Sequence, residues 1–124
     1  MKNWKFLPLS AALLWMFAAT AGAHAHLESS DPKDKSHVTA LKKIELGFSE
    51  AVQLTGLTLQ RGSEPARGVK DLPVASSVVF SIPLEVSEPG AYVLTWTVAS
   101  DDGHSSTGMI HVTVMPGREH GQAP

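Results

Sequence analysis

Six histidines and no cysteine confine any metal chemistry in this chain to nitrogen and oxygen donors. Two of the histidines stand apart by context. His104 closes the run Ser100-Asp101-Asp102-Gly103-His104. Asp102 and His104 are two residues apart, which in an extended backbone puts both side chains on one side, while Gly103 allows the bend that lets both reach one ion. Asp-Gly alone is a common turn, so the triplet gains weight only from a partner. That partner is His26, which follows Ala23-His24-Ala25, small residues at the positions a signal peptidase reads. Cut there, the chain would start with a histidine, whose α-amine and Nδ1 close a six-membered chelate on one ion. The amine has an ordinary pKa near ~8 and the imidazole near ~6.5, so the metal must displace the amine proton at neutral pH. Copper(II) does this best among the divalent first-row ions and accepts the flattened geometry of the chelate. His26, His104 and Asp102 together make a three-nitrogen, one-oxygen site for one copper(II) ion.

The segment ahead of His26 has the parts of a cleavable signal peptide: Lys2 and Lys5, an apolar run from Ala11 to Ala19, then small residues. The run is shorter than the ~20 residues that cross a bilayer, which favours cleavage over a retained anchor. Cleavage after Ala25 and cleavage after Ala23 are both compatible with the local chemistry. The second leaves His24-Ala25-His26, whose third-position histidine would capture copper(II) through amine, backbone amides and imidazole in a more local complex. Removal of residues 1–25 leaves 99 of the 124 residues, and loss of Lys2 and Lys5 takes the formal charge from −2 to −4. That is one small exported domain, expected in the periplasm, with basic residues scattered among acidic ones; it excludes nucleic acid as a partner. Without cysteine it has no disulfide, so packing and hydrogen bonds must hold it.

The elements that must position the site read as strands. Ile44, Leu46 and Phe48 alternate with Glu45 and Gly47, and Leu57 and Leu59 repeat the pattern after Gly56. Val78, Phe80 and Ile82 make a third run. Ala91 to Ala99 is the best strand, with Tyr92, Leu94, Trp96 and Val98 on one side and Glu88-Pro89-Gly90 as the turn before it. Met109 to Val114 is the last, with Ile110, Val112 and Val114 inward and His111 outward, a surface residue rather than a ligand. His37, in a turn-like stretch, is weighed the same way. The pattern predicts an antiparallel sandwich or barrel of roughly seven strands, with a loop from Gly62 to Pro73. Residues 116–124, which include His120, are expected to be a disordered tail.

The chain resembles the CopC family of periplasmic copper-binding proteins. The resemblance rests on His26-Leu27-Glu28-Ser29-Ser30-Asp31-Pro32, on Leu46-Gly47-Phe48-Ser49-Glu50-Ala51-Val52, and on Gly90-Ala91-Tyr92-Val93-Leu94-Thr95-Trp96 leading into Ser100-Asp101-Asp102-Gly103-His104 and Gly108. It implies an all-β, seven-stranded, immunoglobulin-like Greek-key sandwich or barrel over residues 26–115. It also implies copper(II) ligation by His26, Asp102 and His104, with Glu50 beside the N-terminal amine, orienting a donor. A CopD-like multi-spanning membrane protein is the implied partner. One branch of the family also binds copper(I) through a methionine-rich loop; here only Met109 and Met115 follow the signal, so a soft copper(I) site lacks its ligands. The expected function is binding and carriage of copper(II) in copper homeostasis or resistance, without enzymatic activity. Two other readings differ in class: a histidine-brace copper oxidase, disfavoured by an anionic aspartate ligand that holds copper divalent, and a metal-free immunoglobulin-like interaction module.

Overall fold

A computed structural model describes residues 25–117; the expected signal peptide up to His24 and the expected tail from Arg118, His120 included, lie outside the described residues. Within them the alternating pattern produces seven strands: β1 (Leu27–Asp31), β2 (Ser36–Val38), β3 (Leu41–Arg61), β4 (Arg67–Gly68), β5 (Ser77–Val86), β6 (Gly90–Ala99) and β7 (Ser105–Val114). The architecture is all-β, as expected.

β3 is the strand on which the others assemble. Its first part pairs with β1 and β5, its second with β4 and β6, and the sheet continues from β6 to β7 and on to β2. The two runs that look separate in the sequence, Ile44–Phe48 and Leu57–Leu59, are therefore one 21-residue strand. Irregularities let it serve both sides. From Ile44 onward, buried positions fall on Ile44, Leu46, Phe48, Val52 and Leu54, then change parity to Leu57 and Leu59. Opposite β6, Leu54 pairs with Val98 and Gly56 with Thr97, so Thr55 is the extra residue that turns the following side chains over. Earlier, the register with β5 shifts between Gly47 and Val52, and Ser49, Glu50 and Ala51 are three exposed residues in a row. Here the strand passes from one side of the fold to the other, as corner-forming strands do.

The inner faces meet around Phe48, whose ring stands edge-on to Phe80 of β5 at 6.1 Å and to Trp96 of β6 at 5.2 Å. Tyr92, Leu94, Trp96 and Val98 are buried, as are Ile110, Val112 and Val114, so both strands face as their period-2 pattern predicts. Three expectations need correction. Val78 is 47% exposed; β5 buries Phe80, Ile82, Leu84 and Val86 instead, because its first residues flank the bulged corner of β3. β2 runs parallel to β7, so the fold is not wholly antiparallel. The Gly62–Pro73 loop contains the two-residue β4, whose Gly68 and Arg67 pair with Thr58 and Leu59. Among the described residues no helix is long and apolar enough to cross a membrane.

Candidate metal centre

The β6–β7 loop is a closed turn built around one carboxylate. Ser100 N–H donates to the His104 carbonyl at 2.9 Å and Gly103 N–H to the Ser100 carbonyl at 2.9 Å. Gly103 sits at φ +89°, a left-handed conformation that glycine takes without a Cβ penalty. Inside the turn, Asp102 Oδ1 accepts from the Ser100 hydroxyl and from His104 N–H at 3.1 Å, while Oδ2 lies 3.0 Å from His104 Nδ1. The Ser100 hydroxyl, then the His104 ring and its backbone N–H, hold the Asp102 carboxyl far below the usual carboxylate range. Asp102 is therefore an anion at any physiological pH. The sequence spacing is thus realised as a contact: Asp102 and His104 present an oxygen and a nitrogen side by side.

His26 reaches the same end of the fold through its backbone. Its N–H donates to Ser49 Oγ at 3.0 Å and its carbonyl accepts from Ser49 N–H at 2.9 Å. The preceding carbonyl, of the buried Ala25, accepts from Ser106 Oγ at 3.2 Å, and Ser106 lies two residues beyond His104. The start of the domain is thus pinned between the corner of β3 and the beginning of β7. The His26 imidazole is mostly exposed, with Nε2 3.9 Å from Glu28 Oε2. Its nitrogen here is an amide bonded to Ala25, and among the described residues no three histidine, aspartate or glutamate side chains are gathered to hold one ion. Glu50 lines a hollow of about 260 Å³ together with Ala51, Ser100, Asp101 and Asp102. The hydroxyl against the His26 nitrogen belongs to its neighbour, Ser49.

The other histidines fall elsewhere. His111 faces outward on β7, where Asp34 Oδ1 accepts from its N–H at 2.7 Å and stands 2.9 Å from its Nδ1. These two contacts, the backbone one first, lower the Asp34 pKa and fasten the β1–β2 turn to β7. His37 is exposed on β2 opposite Thr113. Another hollow, about 500 Å³, is at the Gly90 end of β6, where Arg61 pairs with Glu64 at 3.2 Å and Glu88 at 3.3 Å.

Sequence reasoning missed Ser49, Ser100 and Ser106. Serine carries no metal signal of its own, and the contacts of Ser49 and Ser106 join residues 23 and 81 positions apart.

Comparison with known proteins gives one answer. A family model described as the CopC domain matches residues 27–115. Copper resistance protein C of Escherichia coli is 34% identical over 117 residues, 86% of this chain and 93% of that protein. Protein YobA of Escherichia coli strain K12 is 37% identical over 93 residues, 69% of this chain and 74% of that one. Among solved structures, PcoC, a methionine-rich copper resistance protein from Escherichia coli, is similar with a TM-score of 0.55 and 36% identity over 73% of this chain and 98% of that chain. CopC from Methylosinus trichosporium OB3b shares the fold with a TM-score of 0.63, at 22% identity over 82% of this chain and all of that one. With the family model spanning all seven strands and the relatives aligned along most of their length, the chain belongs to the CopC family.

Proposed function

We propose that this protein binds one copper(II) ion outside the cytoplasmic membrane and carries it in copper homeostasis or resistance, through His26, Asp102 and His104. The observation that carries the reading is the Asp102–His104 pair. Oδ2 and Nδ1 are 3.0 Å apart, the separation of two neighbouring donors on a square-planar ion at metal–ligand distances of about 2.1 Å. Copper(II) would enter between them as the proton on Nδ1 leaves to solvent, or is carried on Nε2 instead, freeing the Nδ1 lone pair. The depressed carboxyl of Asp102 supplies the negative charge without competition from protons. The second pair of donors comes from His26 once the bond to Ala25 is cut: the amine gives up a proton to solvent, and amine and Nδ1 close the chelate. Glu50 lines the adjoining hollow and adds negative charge beside the ion.

An anionic oxygen donor favours the divalent state, which suits a carrier better than an oxygen-activating centre. The relatives named for copper resistance support the same role. A CopD-like membrane protein is the proposed partner, and the periplasm the proposed compartment.

The test is a titration of protein beginning at His26 with copper(II), followed by the emission of Trp96, the only tryptophan after the signal segment. Trp96 pairs with Gly108 on β7, four residues beyond His104, about 13 Å along the strand. Uptake of one equivalent with quenching of Trp96 is expected. Absence of uptake in the presence of a weak competing chelator would leave a metal-free module as the better reading.

A further inference from the structure

We infer that Ser49 is the positioning residue for the His26 amine, setting the direction of its lone pair before copper(II) arrives. The inference rests on the proposed reading that His26 becomes the first residue and its nitrogen a metal donor. Ser49 grips His26 at both backbone ends: its N–H reaches the His26 carbonyl at 2.9 Å, and its hydroxyl accepts from the His26 nitrogen at 3.0 Å. On the far side of that nitrogen, the Ala25 carbonyl is held by Ser106 Oγ at 3.2 Å, and Ala25 is only 5% exposed. Removing Ala25 abolishes the Ser106 contact and leaves the Ser49 contact in place.

The consequence follows from the shape of an amine. Its nitrogen carries the bond to Cα, two hydrogens and one lone pair, and unrestrained it samples three staggered orientations about the N–Cα bond. A hydrogen committed to Ser49 Oγ leaves the lone pair two directions. They lie on either side of the former peptide bond, which runs to the Ala25 carbonyl held by Ser106 Oγ on the strand that His104 leads into. Binding then breaks one N–H bond of the ammonium, releases that proton to solvent and forms the N–Cu bond on the freed pair. The metal draws electron density from the nitrogen, so the remaining N–H donates more strongly to Ser49. The Ser49 backbone N–H is kept when the side chain becomes threonine, valine or alanine, so these substitutions touch only the hydroxyl contact.

The experiment compares Ser49→Thr with Ser49→Val, side chains of similar shape that differ in the hydroxyl, in protein beginning at His26 and in protein extended by one alanine. Copper(II) affinity is read by chelator competition and the coordination by electron paramagnetic resonance. With the His26 start, the threonine variant should match the parent, while the valine variant loses about five- to tenfold and shows a mixture of copper environments. In the extended protein, which has no amine at His26, threonine and valine should be equivalent. Should the valine variant fail to fold, Ser49→Ala against Ser49→Thr makes the same comparison. Equal affinity and one unchanged spectrum for threonine and valine would overturn the role of Ser49 while the amine site stands. Parent and extended proteins of equal affinity would remove the amine site itself.

Discussion

Trp96 occupies the space that a side chain at position 108 would need. A Cβ built on Gly108 would stand 2.3 Å from Cζ2 and 2.7 Å from Cε2 of the indole. The ring cannot easily retreat, being 6% exposed and edge-on to Phe48 at 5.2 Å. Gly108→Ala should therefore destabilise the domain by about 1–3 kcal/mol, the usual range for overpacking. Denaturant unfolding measures it, and an unchanged midpoint would show that the indole has somewhere to go.

Asp102 makes a prediction about acid. Its carboxyl is held below the ordinary range by the Ser100 hydroxyl, the His104 ring and the His104 N–H. A depressed folded-state pKa contributes stability that is present above the unfolded value, near ~3.9, and is lost only as pH falls through the folded value. The stability difference between the parent and Asp102→Asn should accordingly hold constant from pH 7 down to about 4 and close below that. Closure already near pH 5 would mean that the loop contacts do not persist in solution.

His104→Ala should weaken copper(II) strongly, Asp102→Ala less, and His37→Ala and His111→Ala by less than about twofold, since imidazole suits copper(II) better than carboxylate oxygen. The structure gives His111 a different task. With Asp34 gripping both its N–H and its ring, His111→Ala should lower the melting temperature without touching the metal. Chelator competition and thermal melts separate the two effects. A copper(II) defect in His111→Ala equal to that of His104→Ala would undo the assignment.

How far the sequence could be read depended on the range of the interactions. The inward faces of β6 and β7 were legible, although β7 begins at Ser105 and not at the expected Met109, because period-2 burial is written locally: Tyr92, Leu94, Trp96 and Val98 on one strand, Ile110, Val112 and Val114 on the other. The Asp102–His104 contact was legible for the same reason, lying within one turn. β3 was not, since Ser49–Ala51 and Gly56 interrupt the apolar pattern, and only pairing with β5 on one side and β6 on the other makes the stretch one strand. β2 and β4, three and two residues long, carry too few side chains for a period. The Ser49, Ser106 and Asp34 contacts join residues 23, 81 and 77 positions apart, distances at which no local spacing rule operates.

The last prediction concerns the covalent state of His26. Every proposed ligand side chain is present in the chain described above, yet no three acidic or histidine side chains gather around one point among the described residues. The His26 nitrogen, an amide held to Ser49 at 3.0 Å, has no lone pair to offer. Processing changes that one atom and with it two ligands, because the amine and the six-membered chelate appear together. Protein beginning at His26 should therefore bind copper(II) several factors of ten more tightly than protein carrying one extra alanine at its front, each factor being worth about 1.4 kcal/mol. Chelator competition at a single pH measures both, and His104→Ala in each background shows what the loop contributes by itself. Equal affinities would leave the Asp102–His104 pair as the whole of the site and reduce His26 to a residue anchored by Ser49 for the sake of the fold.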